Sequence, residues 1–281
     1  MTSLLNQLSE LLTLEKIDAN IFRGYSQNIG TGMLYGGQVF AQAISAAQAS
    51  VEGRQVHSAH AYFLRAGDHN APVIYIVDAS RDGRSYSSRT VSAIQHGSPI
   101  FTMMCSFQVK EESEFSFVDK IDYEPFKQLQ WLELNLEHDH QAERINRSLI
   151  LNKQPFSIRF LEEASDRDLR FEHYWMKTND VLPAQSDLHQ SLFSYASDFR
   201  LLTSTLRSVG FRYKLKEVML ATICHAVWFH REFNMDQWLF TQCEPLSVAN
   251  GRGIAKGKVY NEDGILVATT MQEGVVRRRQ Q

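Results

Sequence analysis

The sequence has little of several features that mark whole classes of protein. It contains three cysteines in 281 residues, widely spaced and set in apolar runs, which favours free buried thiols in a reducing compartment. No run of about 18 apolar residues occurs, so no membrane-spanning helix is predicted. The 29 Lys and Arg residues do not outnumber the 32 Asp and Glu residues, and the net charge of −3 argues against a dedicated nucleic-acid binder.

The N-terminal residues 1–17 lack the basic flank of a signal peptide, and Glu10 interrupts their leucines. This pattern predicts a short amphipathic helix. We therefore expect a cytoplasmic protein.

Several catalytic and metal-binding motifs are also missing. There is no Gly-x-Ser-x-Gly elbow, no His-Glu-x-x-His, no Cys-x-x-Cys and no Walker loop. His138-Asp139-His140 is the one metal-like cluster, and its two His would point apart on a helix. We interpret it as a solvated charged face, so the sequence predicts no metal site.

Strand-like segments dominate what is present. Turn signals fall between them at Asp82-Gly83, His96-Gly97, Asn250-Gly251 and Asp263-Gly264, where Gly permits a positive φ. Runs rich in β-branched and aromatic residues lie at 57–64, 73–80, 85–95 and 100–109, and again near 218–229, 238–248, 253–260 and 265–275.

A predicted helix precedes each set of strands, at 39–50 in the first half and at 188–206 in the second. The repeated order predicts an internal duplication of a helix-then-antiparallel-sheet unit, an α+β fold whose two sheets join into one. We place the units at 1–110 and 155–281. A charged connector over 111–154 lies between them, and residues 129–152 are expected to add a helix.

Asp198 is the strongest candidate for chemistry from the residues themselves. The predicted helix around it is apolar almost all round, so its carboxylate is hydrogen-bonded or has a raised pKa. A functional carboxylate and one bonded to a core hydroxyl both remain open. Thr222 and Gln272 draw less notice, because Thr is an ordinary strand former and an inward amide is only modestly unusual.

Histidine offers a second set of candidates. His60 and His225 occupy corresponding places in the two halves, which favours a structural role for both. His57 remains a secondary candidate for an acid or base.

Long blocks of the sequence resemble the TesB-type acyl-CoA thioesterase II family, the double-hotdog thioesterases, over nearly the whole chain. These blocks are IFRGYSQNIGTGMLYGGQVFAQAI, VHSAHAYFLRAGDHNAPVIYIV, RDGRSYSSRTVSAIQHGSPIFTMMCSFQ, YASD, ATICHAVWFHR and DGILVATTMQEGV.

The resemblance implies two hotdog domains, each a long helix wrapped by an antiparallel sheet, and hydrolysis of fatty acyl-CoA without metal or organic cofactor. It implies a catalytic Asp, Thr and Gln in the second hotdog, which fall on Asp198, Thr222 and Gln272. The place corresponding to Gln272 in the first half is expected at Ser106. The family commonly carries Asp where this chain has Cys224, which strand alternation places on the same side as Thr222.

Two alternatives stay open beside the thioesterase. One is a hotdog enoyl-CoA hydratase, expected to use a His/Asp pair, and the other is a non-catalytic acyl-CoA binder. The expected partner is fatty acyl-CoA, with no nucleic acid and no membrane. By analogy with hotdog proteins we expect a homo-oligomer, a dimer or tetramer.

Overall fold

The computed structural model describes residues 3–127, 129–136, 154–161, 171–209 and 217–279. In this part of the chain thirteen strands form one antiparallel sheet, with helices packed against it. The elements of the first half are α1 (Leu4–Leu12), β1 (Glu15–Asp18), β2 (Ile21–Gly24), α2 (Gly36–Gln48), β3 (Gln55–Phe63), β4 (Val73–Asp82), β5 (Tyr86–Gln95) and β6 (Ser98–Gln108).

The rest of the described chain repeats this plan with additions before its long helix. Its elements are α3 (Glu124–Lys127), β7 (Trp131–Asn135), β8 (Phe156–Leu161), β9 (Glu172–Thr178), α4 (Ser186–Ala196), α5 (Ser204–Ser208), β10 (Val218–Phe229), β11 (Leu239–Ala249), β12 (Arg252–Tyr260) and β13 (Leu266–Arg278).

The two halves join at the centre of the sheet, where β3 pairs antiparallel with β10 from Cys224 opposite Tyr62 to Trp228 opposite Ser58. The strand order is β1-β2-β4-β5-β6-β3-β10-β13-β12-β11-β9-β8-β7, so the sheet stays open. This pairing covers an edge of each half. The α+β fold with two helix-and-sheet units joined into one sheet is confirmed.

The two long helices α2 and α4 lie against each other and run antiparallel. Gly37 at the start of α2 lies against Tyr195 at the end of α4, whereas Ser191 Oγ donates a hydrogen bond to Gln48 Oε1 at the opposite end. A Cβ on Gly37 would lie 2.3 Å from the Tyr195 carbonyl oxygen, so only glycine permits this approach. One hydrophobic core therefore contains residues of both halves.

The predicted hairpin turns follow from local backbone conformation. His96 and Gly97 have φ of 48° and 72°, and Asn250 and Gly251 have φ of 52° and 71°. Both turns thus have the two positive φ values of a type I′ hairpin. Gly264 also has a positive φ of 73°, but Gly83 does not.

Two helix predictions are wrong in part. The single helix expected over 188–206 is broken, because α4 ends at Ala196 and α5 begins only at Ser204. The helix expected over 129–152 is replaced at Trp131–Asn135 by β7, which pairs with β8. The remainder of that prediction, with His138-Asp139-His140, lies outside the described residues.

Candidate active site

Asp198 lies in the turn that follows α4. The Ser197 hydroxyl donates to the Ser194 carbonyl at 2.9 Å, and the Phe199 N–H donates to the Ala196 carbonyl three residues back. Such local bonds compete with the α-helical pattern and end the helix here. Asp198 thereby leaves the helix and projects towards the sheet, where it is only 9% exposed.

Thr222 on β10 is the first partner of this carboxylate. Its hydroxyl donates a hydrogen bond to Asp198 Oδ1 at 3.1 Å. The pairing of β10 with β13 shifts between Thr222 and Cys224, so Ile223 forms a β-bulge. A bulge re-aims the side chains on either side of it, and here Thr222 faces Asp198.

Gln272 on β13 is the second partner and is only 1% exposed. Its amide Nε2 donates to Thr222 Oγ1 at 2.8 Å and makes a short hydrogen bond to Asp198 Oδ1. The structure thus brings the three residues expected from the family resemblance into one hydrogen-bonded group. Both amide hydrogens of Gln272 are used within this group.

The first half of the chain also reaches this group, through the start of α2. The Gly37 backbone N–H donates a hydrogen bond to the Asp198 carboxylate. A Cβ on Gly36 would lie 2.8 Å from Asp198 Oδ2. The amino end of a helix is its positive end, which suits a neighbouring carboxylate. Glycine at both positions lets the backbone come this close.

Burial dominates the electrostatics of Asp198. Desolvation raises its pKa to about 6, and the hydrogen bonds from Thr222, Gln272 and Gly37 lower the pKa and so limit the rise. Burial also raises the pKa of Tyr35 well above its usual value, and the nearby Asp198 charge raises it further. The Tyr35 hydroxyl therefore stays protonated and donates to the Tyr195 carbonyl at 2.8 Å.

Cys224 does not face the same side of the sheet as Thr222, contrary to expectation. Directly paired residues share a face, and Cys224 pairs with Glu273 whereas buried Gln272 pairs with buried His225. The bulge therefore turns Cys224 to the face away from Asp198. Strand alternation predicted the wrong face of the sheet for Cys224, because it assumes a strand without a bulge.

Ser106 is not the counterpart of Gln272. Gln272 pairs with His225 and Ala255, and the residue with the matching pairs in the first half is Cys105, opposite Ala59 and Arg89.

Arg89 corresponds by strand pairing to Ala255, since Arg89 lies opposite Cys105 as Ala255 lies opposite Gln272. The residue is 3% exposed, and its guanidinium binds the Ser50 hydroxyl, the Ser50 carbonyl and the Asp82 carboxylate. The first half thus has a buried, hydrogen-bonded cation at the position where the second half has a small apolar residue.

The histidine candidates fall in different places. His57 Nε2 lies 2.8 Å from Ser106 Oγ in the first half, away from Asp198. His60 pairs with Ala226, and His225 pairs with Ala61, so the two expected counterparts face opposite sides of the sheet. His225 lies beside the Asp198 group, with Nε2 2.8 Å from Ser197 Oγ. In the sequence, the only indication that His225 lies near the site was its position in the second half of the chain.

Among the described residues, no three His, Cys, Asp or Glu side chains come together as a metal site. Within the same residues no helix is both long enough and apolar enough to cross a membrane.

Comparison with known proteins identifies the family. A family model described as acyl-CoA thioesterase matches residues 163–275, and one described as acyl-CoA thioesterase N-terminal domain matches residues 23–108. Acyl-CoA thioesterase 2 of Haemophilus influenzae is 39% identical over 293 aligned residues, which cover 99% of each chain. The chain belongs to the acyl-CoA thioesterase family.

Solved structures agree with this membership. The acyl-CoA thioesterase II TesB2 of Mycobacterium marinum has a TM-score of 0.81 and 31% identity, and the match covers 98% of both chains. A hotdog-fold protein of Alicyclobacillus acidocaldarius has a TM-score of 0.75 at 17% identity over the whole of both chains, which shows the fold alone. This acyl-CoA thioesterase is therefore a double-hotdog protein, and the resemblance noted in its sequence is confirmed.

Proposed function

We propose that this thioesterase hydrolyses fatty acyl-CoA to free fatty acid and CoA with a water activated by Asp198, Thr222 and Gln272. One observation carries the proposal. Thr222 and Gln272 both donate to Asp198 Oδ1, in a site whose burial raises the carboxyl pKa to about 6. Such a carboxylate is ionised at neutral pH and is a stronger base than an exposed Asp.

The hydrogen bonds assign a role to each oxygen of Asp198. Oδ1 already receives two donors, so Oδ2, beside Gly36, takes the proton from water. Thr222 Oγ1 donates to Asp198 and accepts from Gln272, which leaves one lone pair to accept the other hydrogen of that water. The water is thereby oriented for attack on the thioester carbonyl carbon.

Attack of the water oxygen forms a tetrahedral intermediate with a negative oxygen while one water proton passes to Asp198. The carbon–sulfur bond then breaks as the carbonyl re-forms, and the departing CoA sulfur takes the proton from Asp198. The products are the free acid and CoA thiol, and the carboxylate is restored.

We assign stabilisation of the oxyanion to the Gly36 backbone N–H at the start of α2. The Gln272 amide is another donor in the site, but both of its hydrogens point at Asp198 and Thr222, and the Gly37 N–H already donates to Asp198. Gly36 lies at the positive end of the helix, where developing negative charge is stabilised.

The proposals on location, assembly, substrate and domains follow from the same family. We propose that the protein acts in the cytoplasm as a homodimer or homotetramer, on fatty acyl-CoA, without metal or organic cofactor. We further propose hotdog domains at 1–110 and 155–281, joined by a connector at 111–154, with the catalytic residues in the second domain.

Thiol release from acyl-CoAs of graded chain length, with and without chelator, tests the proposal. We expect chelator-resistant release by the wild type and collapse of kcat in Asp198→Asn, Thr222→Ala and Gln272→Ala, each with folding preserved. Ser106→Ala is the matched control, because it removes a strand hydroxyl in the first half, and should keep wild-type kcat.

Three other outcomes would count against the proposal. Release unaffected by Asp198→Asn would refute the role of that carboxylate. Hydration of enoyl-CoA that is lost in His57→Ala would favour the hydratase. Tight binding without release from any acyl-CoA would make the chain a binding protein.

A further inference from the structure

His225 is buried beside the proposed site without being part of it. It lies on β10 directly opposite Gln272 on β13 and is 1% exposed. Its ring contacts the Phe40 ring edge-on, with centroids 5.0 Å apart. The ring therefore has little freedom to turn.

The hydrogen bonds around His225 define which ring nitrogen carries the hydrogen. The Ser197 hydroxyl lies 2.9 Å from the Ser194 carbonyl, and when it donates its one hydrogen there its oxygen accepts from His225 Nε2 at 2.8 Å. Burial lowers the pKa of His225 to about 3, so the ring is neutral and has one N–H. In this arrangement the hydrogen is on Nε2, and Nδ1 is a bare acceptor.

Two buried acceptors consequently lie on directly paired residues. His225 Nδ1 and Gln272 Oε1 each have no hydrogen-bond partner among the described residues. Side chains directly opposite on paired strands have Cβ atoms about 4.5–5.5 Å apart. Two acceptors cannot bond to each other, but one water can donate a hydrogen to each of them.

We propose that His225 is a positioning residue that holds the Gln272 amide, through one internal water shared between His225 Nδ1 and Gln272 Oε1. The water fixes Oε1 on the His225 side, so both Nε2 hydrogens point at Asp198 and Thr222. Without it the amide turns and Asp198 Oδ1 loses a donor. This inference rests on the proposed function, since it concerns the same three residues.

Two substitutions separate the two sides of the His225 ring. His225→Gln places an amide near the Nε2 position and keeps a donor for Ser197, but it removes the acceptor at Nδ1. His225→Asn places an oxygen near the Nδ1 position and gives up the bond to Ser197. The variants are close in size and differ in which contact they keep.

We expect His225→Gln to lower kcat about tenfold with KM within about twofold, as a misplaced positioning group should. The acid limb of the kcat/KM–pH profile of His225→Gln should move to higher pH, because the Gln272 hydrogen bond that lowers the Asp198 pKa is weakened. His225→Asn should keep most of the wild-type kcat, and its acid limb should stay at the wild-type pH. Equal losses in both variants, or an unmoved limb in His225→Gln, would overturn the proposal.

NMR gives a reading that needs no turnover. In wild-type protein, ¹⁵N spectra should show His225 as the neutral Nε2–H form throughout the neutral range, and hydrogen on Nδ1 would overturn the proposal even if neither variant folds. The ¹³C titration of the Asp198 carboxyl should shift upward in His225→Gln and not in His225→Asn. A wild type that releases no CoA refutes the proposed function, while this titration still decides the role of His225.

Discussion

Replacing Asp198 by Asn should make the protein more stable at neutral pH while it abolishes activity. Burial raises the Asp198 pKa from 3.8 to about 6. Each pH unit of difference between the folded and unfolded pKa corresponds to about 1.4 kcal/mol, so ionised Asp198 costs the folded state up to about 3 kcal/mol at pH 7.5. Asn carries no charge, and its oxygen still accepts from Thr222 and Gln272.

The sign of this effect depends on pH in a defined way. Because the folded pKa is raised, the contribution of Asp198 to stability is fully present below about pH 4 and is lost as the pH rises through about 6. The gain from Asp198→Asn should therefore be near zero at pH 4 and grow to its full value above pH 7.

Urea unfolding of both proteins between pH 4 and 8, at one protein concentration, measures the difference. Asp263→Asn makes the same chemical change at an exposed turn and should alter stability by less than about 0.5 kcal/mol. Activity of Asp198→Asn should fall by about 10²–10⁴-fold, the usual contribution of a general base. A variant no more stable than wild type at pH 7.5 would refute the argument that the folded protein ionises this carboxylate at a cost.

Three further predictions follow from the same geometry. In wild type, kcat/KM should rise with pH through about 6 and then level off. Thr222→Val should move this rise to higher pH, because it removes a hydrogen bond that holds the Asp198 pKa down. A profile that Thr222→Val leaves unchanged between pH 5 and 9 would contradict this. Gly37→Ala should destabilise the fold by about 1–3 kcal/mol in urea unfolding, because its Cβ would lie 2.3 Å from the Tyr195 carbonyl oxygen, and wild-type stability would show that the approach is less close. Cys224→Asp should leave kcat within about twofold and lower the melting temperature, because the new carboxylate would lie opposite Glu273; a large change in kcat would place this position in the site.

Much of the fold could be predicted because its signals are local. The hairpin turns at His96-Gly97 and Asn250-Gly251 depend on residues that tolerate positive φ. The Ala-rich run after Gly36-Gly37 predicted α2. The strands β7, β8 and β9 at one end of the sheet were missed, since short strands beside a charged connector lack a long alternating pattern.

The candidate site was predictable in part. The family resemblance pointed to Asp198, Thr222 and Gln272, but pattern alone drew attention only to Asp198. The sequence placed that residue inside a helix, and the structure places it after the helix end. Neither the bulge at Ile223 nor the contact with Gly37 was visible, because both depend on pairing between distant segments.

By itself, the sequence determined the alternation of strands, the conformation of the turns and the repeat of a helix-and-sheet unit. These properties depend on neighbouring residues, whose spacing sets the period and whose side chains set the allowed φ. The tertiary structure alone decided the face on which Cys224 lies, the burial of the Arg89 cation against Ser50 and the raised pKa of Asp198. Desolvation and hydrogen-bond partners come from residues far away in the chain, 24 positions for Thr222 and 74 for Gln272, and they exist only once the sheet and helices have packed.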